Sequence, residues 1–427
     1  MQNGKCKVQS AKCNSRMNTP PPADVRMRGF ASRASVDAAW QWVDTHALPL
    51  NSERVPLARL AGRVLVEAIV SQVDVPPFRR AMMDGFAVRA TDTAGASVYN
   101  RAPLTVAGSI LPGQLYPTQL LPGQAIAIMT GAPMPGGADA VLPAEKVQAE
   151  SSIVYALDEV SPDKHVGRRG EDITAGTRVL PEHRRLRPQD LGVLSSIGVS
   201  EAQAVRQPRV RILITGSELL PPGTKPTGCR VADANSPMLA ALVRRDGGVL
   251  CHTAILPDEP SAILNAMRDD ADVVLVSGGS SVGQEDYAPV LLAEHGELAI
   301  HGIAMRPSSP AGMGKLGHRL VFLLPGNPVS CLCAYDFFAG RAIRALGGLP
   351  RQWPYRSRRA PLGRKLVSMV GRVDYARVRL HEAQVEPLAI SGASVLSSTT
   401  RADGFVVVPE NHEGYPAGTE VDVWMYD

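Results

Sequence analysis

Five apolar runs in the second half of the chain each end in a short loop rich in glycine, proline or carboxylate. They are Arg209–Ile214, Val249–Leu256, Asp272–Val276, Leu298–Met305 and Leu320–Leu324, and helical patterns separate most of them. Runs of this length alternating with amphipathic stretches predict the strands of one parallel sheet. In such a sheet every strand points its carboxyl end the same way, and ligands bind in the crevice there. The loops at that rim are Thr215-Gly216-Ser217-Glu218, Pro257-Asp258-Glu259, Ser277–Gly283, Arg306-Pro307-Ser308-Ser309-Pro310 and Pro325-Gly326-Asn327-Pro328. They gather backbone-exposing residues together with Glu218, Asp258 and Asp286, which suits a phosphorylated ligand and a metal ion.

The helical stretches carry their own signals. Ser236-Pro237 reads as N-cap and first-turn proline of one helix, whose stripe is Leu239, Leu242 and Val243 and whose stop is Gly247-Gly248. Pro260 opens a second and Asp286 a third. A fourth follows Pro328 and runs through Leu332, Tyr335, Phe338 and Ile343 to Gly347-Gly348.

At 427 residues the chain is too long for a single core, and about three or four domains are expected. A disordered N-terminal extension is expected over residues 1–34. Residues 35–66 with 145–207 read as a discontinuous N-terminal and linker domain, 67–144 as a small β-barrel domain, 208–350 as the α/β domain and 351–427 as a C-terminal β domain. Ser35 caps a helix with the stripe Val36, Ala39, Trp40 and Val43, and Gln189–Ile197 reads as another helix. Leu111-Pro112-Gly113 and Leu121-Pro122-Gly123 are the turns that suggest the barrel. Phe405–Val408 and Glu420–Met425 read as strands.

Charge and cysteine usage exclude several classes. The net charge is +4, but residues 1–34 contribute seven basic residues against Asp24, or +6, which leaves −2 for the remainder. A nucleic-acid surface is therefore not expected, and no apolar stretch reaches the roughly 18–20 residues of a membrane span. Cys6, Cys13, Cys229, Cys251, Cys331 and Cys333 lack metal-ligand spacing, which fits reduced thiols in a cytoplasmic protein.

The strongest local signal is Ser277-Gly278-Gly279-Ser280-Ser281-Val282-Gly283-Gln284-Glu285-Asp286. Glycines after a buried strand let a ligand approach the backbone, and successive amides form an anion-binding concavity. Asp286 caps a helix or, with Asp258 across the rim, holds Mg²⁺, which favours one or two carboxylates with phosphate and water. Pro325-Gly326-Asn327-Pro328 makes a rigid wall at a helix start. Outside the sheet, Asp84 stands in the apolar stretch Ala81–Val88, Thr130 in Ile128–Pro135, and charges alternate along Arg168-Arg169-Gly170-Glu171-Asp172-Ile173.

These stretches in this order resemble the molybdopterin molybdenumtransferase family, which includes the C-terminal domain of gephyrin. The resemblance runs through A-M-x-D-G-[FY]-A-V at Ala81–Val88, M-T-G-A-P at Met129–Pro133, R-R-G-E-D-I at Arg168–Ile173 and T-G-x-E-L at Thr215–Leu219. It continues through S-G-G-x-S-x-G-x-x-D at Ser277–Asp286, P-G-N-P-V-S at Pro325–Ser330, Gly371–Arg377 and Leu396-Ser397-Ser398. It implies a multi-domain α/β plus β fold, elongated, with a molybdopterin-binding parallel-sheet domain and flanking β-barrel domains.

The activity it implies is insertion of molybdate into adenylylated molybdopterin, with Mg²⁺ as cofactor and release of AMP. It further implies a homodimer with shared active sites, in which Asp84 and Thr130 of one subunit serve the sheet rim of the other. Catalytic roles fall to Asp84, Thr130, Glu218, Asp258 and Asp286, with Asp258, Asp286 and Glu218 handling the metal. Ligand binding falls to Ser277, Gly278, Gly279, Ser281, Gly283, Pro325, Gly326, Asn327, Pro328, Arg306, Arg169, Asp172, Arg377 and Ser397. Partners are other molybdenum cofactor biosynthesis proteins or a recipient molybdoenzyme.

Three departures from the family pattern concern anions. The usual K-P-G-K-P loop is Arg306-Pro307-Ser308-Ser309-Pro310, a further family lysine falls on Gly302, and T-G-D-E-L is Thr215-Gly216-Ser217-Glu218-Leu219. Lysines are natural partners of phosphate and molybdate, so Arg306 is expected to carry the remaining attraction. A paralogue that binds and delivers the cofactor without making it is the alternative that this loop favours. An adenylyltransferase acting on molybdopterin is a third reading, which the Asp84 and Thr130 motifs oppose.

Overall fold

The computed structural model describes residue 30 and residues 32–279, 283, 286–382, 384–389 and 392–426. The chain divides into two compact units, Met1–Leu50 with Gln207–Asp427, and Asn51–Arg206.

The first unit is built on a six-stranded sheet: β1 (Arg209–Thr215), β2 (Val249–Leu256), β3 (Val273–Ser277), β4 (Glu297–His301), β5 (Gly312–Leu316) and β6 (Arg319–Leu324). Their spatial order is β2-β1-β3-β6-β5-β4. The pairs β1/β2, β1/β3 and β3/β6 are parallel, while β5 runs antiparallel to both β6 and β4. The five expected runs thus share one direction, but the sheet is mixed rather than wholly parallel, because β5 is inserted among them. The fourth run is also shorter than expected. It leaves the sheet after His301, and Met305-Arg306 pairs instead with Val373-Asp374 of the C-terminal domain.

Burial on both faces explains the near-continuous apolar strands β1, β3 and β6. Along β3, Val273 and Leu275 enter one core with Ile212, Phe322 and the helices Asn235–Arg245 and 328–346. Val274 and Val276 enter the other, with Leu213, Val321 and the helices Pro260–Arg268 and Tyr287–His295. The helix Val36–His46 belongs to this unit, not to the linker domain expected for residues 35–66. Its stripe Val36, Ala39 and Val43 is buried in the first core, and Trp40 donates its indole N–H to the Phe337 carbonyl at 2.9 Å. The stripe announces that a partner exists; only the fold says which.

The C-terminal domain is a sheet in the order Met305-Arg306, Val373–His381, Gly404–Val408, Glu420–Met425, Arg356–Pro361, with Gln384–Ala389 beside the second. Both expected strands are present. Tyr375 stacks on Phe405 at 4.3 Å between ring centroids, and Trp353 packs on Phe337 at 4.9 Å, which ties this sheet to the helical layer.

In the second unit, the region expected as a small β-barrel is a half-barrel formed by a six-stranded mixed sheet. Its strands lie in the order Ala140–Pro143, Gly85–Val88, Gln124–Ile128, Ala102–Ile110, Ile153–Ala156, Val147–Glu150. It extends past the expected boundary at 144 because the last two strands complete its edge. Alternate residues serve two cores: Val88, Ala125 and Leu142 on one face, Ala87, Ile126 and Val141 on the other. A third core gathers Val55, Leu65, Leu180, Leu194 and Ala204 around the helix Pro188–Ser196. Among the described residues no helix is long and apolar enough to cross a membrane.

Candidate functional site

The rim at the carboxyl ends of β1, β3 and β6 holds the most closely fitted loops. Ser277, 1% exposed, ends β3 and places its hydroxyl 3.0 Å from Asn235 Nδ2 and 3.3 Å from the Pro325 carbonyl oxygen. Gly278 follows with φ +93°, and a Cβ there would lie 2.3 Å from the Thr215 carbonyl oxygen. Only glycine permits both the positive φ and that approach. Gly326 lies against it: a Cβ on Gly326 would sit 3.5 Å from Gly278 Cα. Asn235 Nδ2 also donates to the Gly326 carbonyl at 2.7 Å, which ties the three loops together.

Asp233 and Asn235 are candidate site residues that the sequence reading missed. The helix starts at Asn235, not after Ser236, and its first amides, Asn235 N and Ser236 N, donate to Asp233 Oδ1 at 2.8 and 3.0 Å. Asp233 Oδ2, Asn235 Oδ1 and Thr215 Oγ1 are buried with no hydrogen-bond partner among the described residues. Buried polar atoms are nearly always paired, so three such acceptors at one strand-end crevice suit a polar ligand. The sequence signal was the Asp-x-Asn pair of Asp233-Ala234-Asn235 at the helix start, which the capping rule assigned to Ser236 alone. Cys331, 3.5 Å from Ser277 Oγ, is a buried thiol pushed up to about 12 by desolvation, and therefore no nucleophile.

The carboxylates stand at the same end of the sheet. Asp258 Oδ2 accepts from Ser217 N at 3.0 Å and Ser217 Oγ at 3.1 Å, linking the loops after β1 and β2. Asp286 precedes the helix Tyr287–His295 without capping it. Its Oδ2 turns back to accept from Gly283 N at 2.5 Å, leaving Oδ1 without a hydrogen bond among the described residues. Glu218 folds over Gly216, its Oε2 2.8 Å from where a Cβ would be. No group of three or more His, Cys, Asp or Glu among the described residues is gathered to hold a metal. Two aspartates, each with an oxygen to offer, fit an ion that takes one or two carboxylates and completes its shell from phosphate and water. Ser281 lies outside the described residues.

A cavity of about 740 Å³ opens beside Pro325 and Asn327, between the sheet domain and the C-terminal domain, and includes Arg33, Arg306, Ser309 and Arg372 in its wall. Asn327 heads the helix at Pro328, and its Oδ1 accepts from Ser394 Oγ at 2.8 Å. Here the expectation for Arg306 needs correction. Its guanidinium forms a two-pronged ion pair with Asp374, Nε to Oδ1 at 3.0 Å and Nη2 to Oδ2. Asp374 is fully buried, and Ser368 Oγ donates to it at 2.6 Å. Arg306 thus commits Nε and Nη2 to its own carboxylate, and among the described residues only its Nη1 is left to face an anion. Arg377, expected at the ligand, is fully buried; a Cβ on Gly392, at the cavity wall, would lie 4.0 Å from its Nη2. Ser397 is exposed and opens the short helix Ser397–Thr400.

The second unit carries the other expected residues. Asp84 Oδ1 accepts from both Thr130 N at 2.7 Å and Thr130 Oγ1 at 2.8 Å, so the two motifs meet. The amide, then the hydroxyl, holds the Asp84 carboxyl below the ordinary aspartate range. Arg169 donates Nε to Asp74 Oδ2 at 2.5 Å, and Asp172 is exposed nearby in the chain.

Comparison with known proteins accounts for both units. Three family profiles match in succession: the MoeA N-terminal region (domain I and II) over residues 34–198, the probable molybdopterin binding domain over 211–345 and the MoeA C-terminal region (domain IV) over 359–426. Molybdopterin molybdenumtransferase 2 of Mycobacterium tuberculosis is 36% identical over 383 residues, 87% of this chain and 94% of that one. The molybdopterin molybdenumtransferase of Haemophilus influenzae is 30% identical over 88% of this chain and 94% of its own. The crystal structure of a molybdopterin biosynthesis MoeA protein from Pyrococcus horikoshii matches with a TM-score of 0.77 and 31% identity, covering 92% of this chain and 99% of that one. With that identity over most of its length and all three regions in order, the chain belongs to the molybdopterin molybdenumtransferase family.

Proposed function

We propose that the protein works in molybdenum cofactor biosynthesis as a transferase, inserting molybdate into adenylylated molybdopterin with release of AMP. The observation that supports this most is the convergence of Ser277-Gly278, Pro325-Gly326 and Asp233-Ala234-Asn235 on one strand-end crevice. It combines backbone close enough for a bulky ligand with unpartnered acceptors suited to a pterin's N–H groups. Asp258 and Asp286 would hold Mg²⁺, with Glu218 alongside, and the ion would neutralise phosphate charge as the anhydride is cleaved. The chain's own part is to orient the pterin on the glycine loops, exclude water behind Pro325, and keep Asp84 ionised near the reacting groups.

We further propose that Asp84 and Thr130 act on the rim of a second subunit in a homodimer, as the family resemblance implies. The test is reconstitution with adenylylated molybdopterin, molybdate and Mg²⁺, following AMP release and active cofactor. Wild type should release AMP only when molybdate is present, and Asp286→Asn should lose most of that activity. Tight binding of the pterin with no turnover under any metal condition would overturn the enzyme reading and leave a carrier.

A further inference from the structure

We propose that Arg33, carried by the segment that precedes the first helix, is an oxyanion-binding residue of the cavity beside Pro325. That segment is attached by backbone pairing. Ala34 N donates to the Gly302 carbonyl at 3.0 Å, Ala304 N donates to the Ala34 carbonyl at 2.8 Å, and Ala34 pairs with Ile303. Phe30 packs edge-on to His301 with ring centroids 5.0 Å apart. It lies directly over Gly302, whose φ is +86° and where a Cβ would meet the Phe30 ring at 2.6 Å. Gly302 thus makes room for the segment. Arg33 then donates Nε to Ser309 Oγ at 2.7 Å, with its guanidinium 5.6 Å from the Phe30 ring centre.

The charges of the cavity assign the role. Among the described residues its wall contains Arg33, Arg306 and Arg372 and no carboxylate. Arg306 and Arg372 lie at one buried acid, Asp374, with Arg372 Nε 3.6 Å from Oδ1. Arg33 has no carboxylate partner among the described residues, and Ser309 engages only its Nε. Nothing among the described residues engages its two terminal amino groups, whose donors are left for a ligand. Three guanidinium groups against one carboxylate, among the described residues, leave the cavity cationic. A fork of N–H donors in that setting matches a tetrahedral dianion, either free molybdate or the phosphate of the pterin. Ser308, 2% exposed, donates its hydroxyl to the Ser330 carbonyl at 2.5 Å and holds the loop that presents Ser309.

The role of this dianion in turnover rests on the transferase reading; the binding itself does not. Molybdate and inorganic phosphate are titrated separately by calorimetry at fixed ionic strength, without pterin, into wild type, Arg33→Ala, Arg33→Lys and Arg33→Ala with Ser309→Lys. Arg33 is exposed, so thermal unfolding should be unchanged in the single variants. Arg33→Ala should weaken dianion binding about ten- to hundredfold, Arg33→Lys should keep part of it, and Ser309→Lys should restore it. Loss for molybdate alone identifies the metal oxyanion as the ligand, and equal loss for both identifies the shared tetrahedral dianion. Unchanged binding of both ions in Arg33→Ala would overturn the proposal. In that case Mg²⁺-dependent AMP release by wild type would still stand or fall on its own.

Discussion

At the scale of single residues, the site depends on what each charge is already bonded to. Asp84 accepts from the amide and the hydroxyl of Thr130, and both bonds favour its ionised form. Thr130→Val should therefore raise the Asp84 pKa while leaving it below normal, since the amide bond persists. A carboxylate titration by ¹³C NMR checks this directly, and the acid limb of the activity profile should move to higher pH in step. Arg306 illustrates the opposite case. From the sequence it was the one cation left in a loop that usually has lysines; folded, it neutralises a buried Asp374. Arg306→Ala should therefore destabilise the first unit by about 2 kcal/mol, below the roughly 3–5 kcal/mol that removing one partner of a fully buried pair costs. The smaller figure applies because the arginine is 29% exposed and Ser368 and Arg372 remain. Denaturant unfolding measures it, and an unchanged midpoint would show the pair contributes nothing. Neither Asp374 nor Arg33 was legible in the sequence, because both reach the loop across more than sixty residues of chain and no local pattern encodes such a pairing.

At the scale of elements, strand-and-loop punctuation was readable and insertion was not. Whereas β2, at the sheet edge, has no fully buried residue, the apolar runs of β1, β3 and β6 announced buried strands because both of their faces meet helices. β5, Gly-Met-Gly-Lys-Leu, did not, since glycine in a strand weakens the pattern that identifies one. Gly278 is where loop chemistry was most legible. Its φ is +93°, and a Cβ there would stand only 2.3 Å from the Thr215 carbonyl oxygen, which leaves no room for a side chain. Gly278→Ala should cost roughly 1–3 kcal/mol of stability and abolish pterin binding, because the loops after β3 and β6 touch at this point. Gly283→Ala is the control: its φ is not in the left-handed region and the nearest atom, Asp286 Oδ2, is 3.1 Å away. It should disturb Mg²⁺ dependence more than stability. Thermal unfolding and pterin binding of the two variants separate these outcomes.

At the scale of the whole molecule, the residues assigned to one reaction are divided between two units. Asp84 and Thr130 belong to Asn51–Arg206, while Asp258, Asp286 and the glycine loops belong to the other. If the proposed homodimer shares its sites, each site takes the first pair from one subunit and the rim from its partner. Asp84→Ala and Asp286→Asn proteins should then each be inactive alone. Neither change should prevent folding, since Asp84 is exposed and Asp286→Asn keeps an acceptor for Gly283 N. In a heterodimer of the two, one site receives both lesions and the other receives neither. Subunits exchanged freely at equal amounts give heterodimers in about half of the dimers, so activity should recover to about a quarter of wild type. Differently tagged subunits, purified through both tags, raise that to about half, the ceiling for one intact site of two in a two-fold dimer. Were each site built within a single subunit, every site in the heterodimer would still carry one lesion. A doubly tagged heterodimer with no AMP release would therefore place Asp84 and Asp286 in the same subunit's site and remove the reason for dimerisation from catalysis.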